Sequence, residues 1–347
     1  MQNHTVKITS RDVANKAGVS RTTVSYVLTG GVYSDKIPEE TRQRVIDAAR
    51  RLGYAGNSSA TALRRGYSDN IVILVVTWDL ASTYSQLAIQ ISERAGARGL
   101  PAIVHVAQDD KQALQYIDEL ASVHPYGLIM MWDSQTVPAD QITHGICPMV
   151  DLFPSHSGSI AVTSNREQGV CILARYLLEF GHRRIGMMLD TKTRWRSTRY
   201  KLAGYVRALE SYGIDFDESL LEECTSYGFE AGYEAAKVLI NRHPNMTAMI
   251  GINDEMALGA MVSAQDMGLK VPGDVSVAGY GGSPDCERYR PTLTSVSTDA
   301  KSIAGEAIDM LIQMRSNPGE AVKSKLFDMK LVARNSTGPA RQSSLNI

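Results

Sequence analysis

At 347 residues the chain is longer than one ordinary domain, and 44% apolar against 21% charged residues describe a globular protein rather than a disordered one. The longest aliphatic run, Ile71 to Val76, falls far short of the ~20 residues a bilayer helix needs. The start MQNHTVKITSRD lacks an apolar stretch with a cleavage site, so no membrane partner and a cytoplasmic location are expected. The formal net charge of −1 hides an asymmetry: residues 1–66 hold eleven Lys and Arg against five Asp and Glu, a net of +6 that leaves −7 for the rest. A basic segment ahead of an acidic body points to a polyanion partner for the first part alone, because phosphate neutralisation is the main sequence-independent source of nucleic-acid affinity.

In chain order, Thr9 with Asp12 three residues on reads as a capping box, and Val13, Ala14 and Ala17 follow at helical spacing, which predicts a helix ending near Lys16. Gly18 supplies a turn, Val19 a staple, and Ser20 the cap of a second helix to about Leu28. On that helix Val24, Val27 and Leu28 share one side, and Arg21, Thr22, Ser25 and Tyr26 the other. The polar side combines a guanidinium, hydroxyls and an aromatic, the groups that read base edges. A third helix opens at Pro38-Glu39-Glu40, buries Val45, Ile46, Ala49 and Leu52, and stops at Gly53. The three make a helix-turn-helix unit. Beyond Tyr54 the stretch GNSSATALRRGYSDN is small and polar apart from Leu63. Asn57 caps at most two helical turns there, too few to be stable alone, so this segment is expected to order on DNA.

From residue 70 short aliphatic strands alternate with amphipathic helices, the signature of parallel α/β sheets. Strands are predicted at Ile71–Val76, Ala102–Val106, Gly127–Met131, Ile185–Leu189, Ala248–Ile252 and Val275–Tyr280. Helices are predicted near 83–98, 111–122, 165–180, 199–212, 229–241, 253–267 and 299–315. Two such units facing each other place ligand groups at strand C-terminal ends, in the cleft between them. Asn253 and Asp254 stand where a strand gives way to a helix, so either could cap the helix or face the cleft. Asn253 is read as a ligand contact and Asp254 as structural. Cys147, Cys171, Cys224 and Cys286 have neither disulfide-framework nor metal-pair spacing, which predicts reduced, mostly buried thiols. No G-x-G-x-x-G follows a strand, no phosphate-binding loop or G-x-S-x-G is present, and no H-x-x-x-H pair occurs. Neither catalysis, a cofactor nor a metal is expected.

The stretches RDVANKAGVSRTTVSYVL and IPEETRQRVIDAARRLGY resemble the DNA-binding headpiece of the lactose-repressor (LacI) family of bacterial transcription regulators. FGHRRI at 180–185, KLAGY at 201–205, GINDEMALGA at 251–260 and VPGDVSVAGY at 271–280 extend the likeness over essentially the whole chain. The resemblance implies a mixed α/β protein: a headpiece over 1–55, a hinge helix and linker over 56–68, a two-lobed periplasmic-binding-protein-like core over 69–338, and a tail over 339–347. The N-lobe would comprise about 69–160 and 294–322, and the C-lobe about 161–293 and 323–338. By the same resemblance Arg21, Thr22 and Tyr26 read bases, and Thr9, Ser20, Ser25, Asn57, Arg64 and Arg65 meet the DNA backbone. Leu63 is then the wedge that each subunit pushes into the minor groove. The loop 29–37 is about three residues longer than the family's, and Gly56 replaces its usual proline.

In the core the resemblance implies effector contacts from Tyr84, Arg194, Arg196, Arg199, Lys201, Tyr227, Asn253 and Gly281. Lys201 stands for an arginine that binds ligand hydroxyls, and Tyr227 for an aromatic that stacks on the effector. Gly281 and Gly282 stand where family members that bind neutral sugars carry an aspartate. With several cations across the cleft, that loss favours an anionic sugar derivative. The expected function is a regulator, most simply a repressor, that binds a near-palindromic operator as a homodimer under control of a small ligand. The alternative is a solute-binding or sensory protein with no DNA role. If Arg21 reads a base, Arg21→Ala is expected to cost about 1–3 kcal/mol on the operator and relax choice at one position. Arg64→Ala is expected to weaken all sequences alike and flatten the salt slope, both read by titration on specific and random duplexes.

Overall fold

The computed structural model describes residues 8–29, 36–54, 62, 65–77, 82–134, 137, 142, 145–154, 159–190, 196–224 and 226–341. The chain divides into two compact units, Met1–Asp69 and Asn70–Ile347.

The first unit holds α1 (Ser10–Ala17), α2 (Arg21–Thr29) and α3 (Glu39–Leu52). Val13, Ala14 and Ala17 from α1, Val24 from α2, and Val45, Ala48 and Ala49 from α3 form its core, with Val19, Val27, Leu28, Leu52 and Tyr54 packed around it. The core is small because it is built largely of alanine and valine, which lets three short helices approach closely. Ile46, expected inside, is only half-buried, and Ala48 takes the interior position. Gly18 ends α1 in the left-handed region, φ 66°, where its amide returns to Ala14 O.

The second unit runs β1 (Ile71–Val76), α4 (Ser82–Gly96), β2 (Ala102–Ala107), α5 (Asp110–Val123), β3 (Gly127–Met131), β4 (Met149–Asp151), β5 (Val162–Ser164), α6 (Arg166–Glu179), β6 (Ile185–Leu189), α7 (Arg196–Glu210) and β7 (Leu221–Glu223). It continues with α8 (Phe229–Arg242), β8 (Ala248–Gly251), α9 (Asp254–Asp266), β9 (Ser276–Gly281), β10 (Thr294–Ser297), α10 (Ala300–Ser316), β11 (Lys325–Phe327) and β12 (Lys330–Val332). One lobe is a four-stranded sheet in the order β2-β1-β3-β4, parallel throughout. The other is six-stranded, β12-β10-β9-β8-β6-β7, parallel except for the β10–β12 pair.

Both sheets are covered on two faces, which explains why their inner strands read as unbroken aliphatic runs. In the N-lobe α4 and α10 bury Ile71, Ile73, Val75, Ile303, Ala307 and Leu311 on one face, and α5 closes the other over Val72, Leu74, Ile117 and Trp132. At the approach of α10, Gly127 faces the Leu311 methyls, which a Cβ there would meet at 2.9 Å.

Three segments pass between the lobes: β4 to α6, β10 to α10, and α10 to β12. On the way β5 and β11 pair in parallel as a separate two-stranded sheet. This corrects the expected lobe boundary at 294. Strand β10 lies in the C-lobe sheet beside β9, so the return to the N-lobe begins after Ser297. The strands β4, β5, β7, β10, β11 and β12, three or four residues each, were too short to give a periodic signal. The final described segment threads the C-lobe: Val277 N donates to Ser336 O, and His182 spans Thr247 Oγ1 at 2.9 Å and Gly338 O at 3.0 Å.

Helices α8 and α9 touch backbone to backbone through glycines. A Cβ on Gly232 would sit 2.1 Å from Met256 O, and one on Gly259 2.0 Å from Phe229 O. Gly259→Ala is therefore expected to destabilise the core at the upper end of the about 1–3 kcal/mol typical of overpacking, read as a lower urea midpoint with unchanged slope. Gly305→Ala, in open space inside α10, is the opposing comparison and is expected to stabilise by about 0.5–1 kcal/mol through helix propensity.

Candidate nucleic-acid interface and interlobe cleft

In the first unit Ser20 Oγ accepts Thr23 N at 3.0 Å and shares a 2.9 Å bond with Thr23 Oγ1, so α2 starts on a side-chain cap. That start fixes the helix phase. Val24 turns fully inward, Arg21 and Thr22 are exposed, and Ser25 and Tyr26 are half-buried on the same side. Thr9 donates its amide and its hydroxyl to the Asp12 carboxylate, both at 2.7 Å, which holds that carboxyl below its ordinary pKa. Arg65, expected on phosphate, lies 2.9 Å from Asp69, four residues on, in an exposed pair. Such a surface pair is weak enough to yield to a phosphate. Asn57, Leu63 and Arg64 lie outside the described residues.

In the second unit a buried polar cluster gathers where the lobes meet. Asp133, just past β3 of the N-lobe, accepts Ser197 N of α7 in the C-lobe at 2.9 Å. Arg166, the first residue of α6, donates to Leu152 O at 3.2 Å and lies with its guanidinium carbon 4.8 Å from the centre of the Phe153 ring. The Tyr84 ring is 5.1 Å from Phe153 and tilted 33° to it, so a cation and a second aromatic both lie against Phe153. Lys201, on α7, is 7% exposed, donates to Ile252 O at 2.9 Å and lies 4.2 Å from the Tyr280 ring centre. Burial, with help from the Arg166 charge, pushes its ammonium down to about 7 against the opposing pull of Asp133 and Asp254. The Tyr227 hydroxyl meets Thr198 Oγ1 at 3.2 Å, and burial raises the phenols of both Tyr84 and Tyr227.

Of the residues expected in the cleft, Tyr84, Lys201 and Tyr227 come together here. Arg199 does not, because two residues from Lys201 on a helix is roughly 200° of rotation, and its side chain is exposed. Arg194 lies outside the described residues, and of Arg196 only the helical backbone is described. Asn253 also departs from expectation. Its oxygen caps α9 through Met256 N at 2.8 Å and its nitrogen donates to Tyr227 O at 2.7 Å, so the carboxamide positions Tyr227. Asp254 is structural as expected: fully buried, it accepts Ser283 N at 2.7 Å and Ser295 Oγ at 2.5 Å. Gly281 ends β9 at φ 131° and Gly282 follows at φ 72°, where a Cβ would fall 2.1 Å from Ser297 Cβ. The pair is a tight turn against β10 with no space for a side chain at 282.

Asp133, Phe153, Arg166 and Thr198 were missed. Asp133 follows directly on a buried parallel strand, the position where α/β sheets present ligand groups. Arg166 had a signal of its own, a cation in the first turn of a helix, where the dipole disfavours it unless something else holds it. Asp133 also sets one carboxylate near the Lys201 cation.

A helix-turn-helix unit preceding a two-lobed core with a polar interlobe cleft defines a DNA-binding regulator with a ligand-binding core. Residues 9–57 match the bacterial regulatory proteins, lacI family, and residues 174–337 match the periplasmic binding protein-like domain. The chain thus carries a lacI-family DNA-binding domain ahead of a periplasmic-binding-protein-like domain. The HTH-type transcriptional repressor PurR of Klebsiella pneumoniae is 29% identical over 334 residues, covering 94% of this chain and 96% of that protein. The solved Lac repressor dimer bound to operator and the anti-inducer ONPF superposes with a TM-score of 0.80 at 27% identity, covering 96% of this chain and 100% of that one. The regulator CelR in complex with cellobiose shares the fold, TM-score 0.70 at 24% identity over 95% of this chain and all of that one. Among the described residues no helix is long and apolar enough to cross a membrane.

The depressed Lys201 ammonium has a measurable sign. Between about 7 and the ordinary lysine value the unfolded chain binds a proton that the native cleft refuses, so this residue lets stability rise with pH through that window. Relative to Lys201→Met, the wild type is expected to gain up to about 2 kcal/mol between pH 7 and 8.5, read from paired urea midpoints. Equal slopes for the two proteins exclude the buried charge. Unfolded cysteines begin to ionise toward the top of this window while Cys224 and Cys286 are pushed up to about 12, which acts in the opposite direction, but equally in both proteins, so the difference between them isolates Lys201.

Proposed function

We propose that this regulator acts as a homodimer on a near-palindromic operator and that a small polar ligand in the interlobe cleft adjusts its grip. The observation that carries the reading is the face of α2: Arg21 and Thr22 stand exposed beside Ser25 and Tyr26 on a helix whose phase is fixed by the Ser20 cap. A guanidinium pairs bidentately with guanine, hydroxyls accept either base, and a tyrosine edge suits a thymine methyl. Thr9, Ser20, Ser25 and Arg65 are the described groups assigned to phosphates. Leu63 and Arg64 are assigned by sequence alone to the wedge and its flanking phosphates.

One short recognition helix reads only a half-site, so symmetry has to double it. The N-lobe offers a surface for that purpose. On the edge strand β2, Ile103, Val104 and Val106 are 43–46% exposed, and Ile89 on neighbouring α4 is 55% exposed. Edge strands are normally guarded by charge, so an apolar one is consistent with a second subunit.

In the cleft, the Tyr84 and Phe153 rings, the Arg166 and Lys201 donors and the Asp133 acceptor suit a ligand with both hydroxyl donors and acceptors. The relatives that bind ONPF or cellobiose support a sugar-like molecule without naming it. A coupling of about 1–3 kcal/mol between cleft and operator changes affinity roughly 5- to 150-fold.

Selection of genomic fragments by the full chain, followed by footprinting, tests the reading. The expected result is a protected site with two half-sites related by a dyad, bound with a steep salt dependence and weakened roughly 5- to 150-fold in Arg21→Ala. Protection of a single asymmetric half-site, or no retardation at low salt, overturns it.

A further inference from the structure

Lys201, in the second turn of α7, reaches the carboxyl ends of two C-lobe strands. Its Nζ donates to Ile252 O, one residue past β8, at 2.9 Å and lies 4.2 Å from the centre of the Tyr280 ring on β9. Strand ends of this kind are where parallel α/β sheets present groups to a ligand. The side chain is buried, and among the described residues no carboxylate forms an ion pair with it. Asp133 and Asp254, the acids whose charges reach it, are already engaged elsewhere: Asp133 by Ser197 N at 2.9 Å, Asp254 by Ser283 N at 2.7 Å and Ser295 Oγ at 2.5 Å. The Arg166 cation opposes a second positive charge beside it.

A buried ammonium without a counter-ion is costly enough that the group gives up its proton instead. The neutral amine still donates one N–H to Ile252 O and now carries a lone pair. A desolvated amine beside another cation is the arrangement that turns lysine into a nucleophile toward carbonyl carbon. A guanidinium in the same place, always charged, could donate but not attack. Hydroxyls stand close by: Thr198, three residues earlier and so on the same face of α7, shares a 3.2 Å bond with the Tyr227 hydroxyl.

We propose that Lys201 captures a small carbonyl compound, a hydroxy-aldehyde of the kind an open-chain sugar presents, as a reversible imine in the cleft. The Nζ lone pair bonds to the carbonyl carbon while the C=O π pair moves onto oxygen. One N–H proton transfers to that oxygen and gives a carbinolamine. The second N–H proton then leaves with the new hydroxyl as water, and the nitrogen pair closes the C=N bond. Amine and aldehyde give imine and water, so no oxidant, reductant or further reactant is needed. The regulatory meaning of the capture rests on the cleft being the ligand site; the reactivity of the amine does not.

Glycolaldehyde with cyanoborohydride, applied to the full wild-type chain and read by peptide mass spectrometry, tests the capture, because hydride fixes an imine as a stable secondary amine. At pH 7 an ordinary lysine is free amine in about one molecule in 2,500, whereas a group brought down to about 7 is free in about half. Lys201 is therefore expected to be labelled at least about tenfold faster than the exposed Lys111 and Lys330, a preference that shrinks at least about tenfold by pH 10. Labelling of Lys201 no faster than of those two at pH 7 overturns the proposal. A preference that is the same at both pH values also overturns it, since the free amine would then not be its source. Operator titration of the labelled protein, with Lys201→Arg treated alike to account for label elsewhere, separates the two readings. Lys201 labelled with operator affinity unaltered keeps the capture and removes the carbonyl compound from regulation.

Discussion

A charge taken out of water has to find a partner, and in this core two of the three cleft charges find theirs across the boundary between the lobes or at its crossing strands. Asp133 of the N-lobe finds an amide of the C-lobe, and Arg166 at the start of a C-lobe helix finds Leu152 O where the chain leaves the N-lobe. Lys201 is held within its own lobe by Ile252 O and the face of Tyr280, which leaves it the least well compensated of the three. The rest of the core serves this arrangement. Two parallel sheets point their strand C-terminal ends at each other, and three crossings keep them in register.

Stiffness is distributed to match. Within each lobe the packing is dense and partly backbone on backbone, as at Gly232 and Gly259. Between the lobes the described residues make directed polar contacts such as that from Ser197 N to Asp133. A relative movement of the lobes therefore disturbs directed bonds rather than a hydrophobic core, and directed bonds are what a small ligand is equipped to exchange. The headpiece follows the same economy on a smaller scale, with three helices on an alanine-rich core and a polar face whose phase depends on one serine.

Much of this was legible in the sequence. The long buried strands β1, β3 and β6 announce themselves by unbroken aliphatic runs, and the headpiece helices by caps at Thr9 and Ser20 and stops at Gly18 and Gly53. What stayed hidden are pairings between residues far apart in the chain. Asp133 and Ser197 have no local pattern in common, and the short strands β5 and β11 exist only because they find each other. Asn253 shows the opposite limit: its position was read correctly, but a strand-to-helix junction fits a cap as well as a ligand contact, and only the contacts to Met256 and Tyr227 decide.

The crossings also bear on how the chain is made. The C-lobe is assembled from two stretches separated by α10, and its sheet includes β12 and the strap through Ser336 and Gly338, which are translated after everything else in that lobe. The headpiece, by contrast, is contiguous and emerges first. A ribosome-bound chain can therefore complete its reading head while the sensor that governs it is still missing an edge strand, and the order of synthesis runs opposite to the order of control.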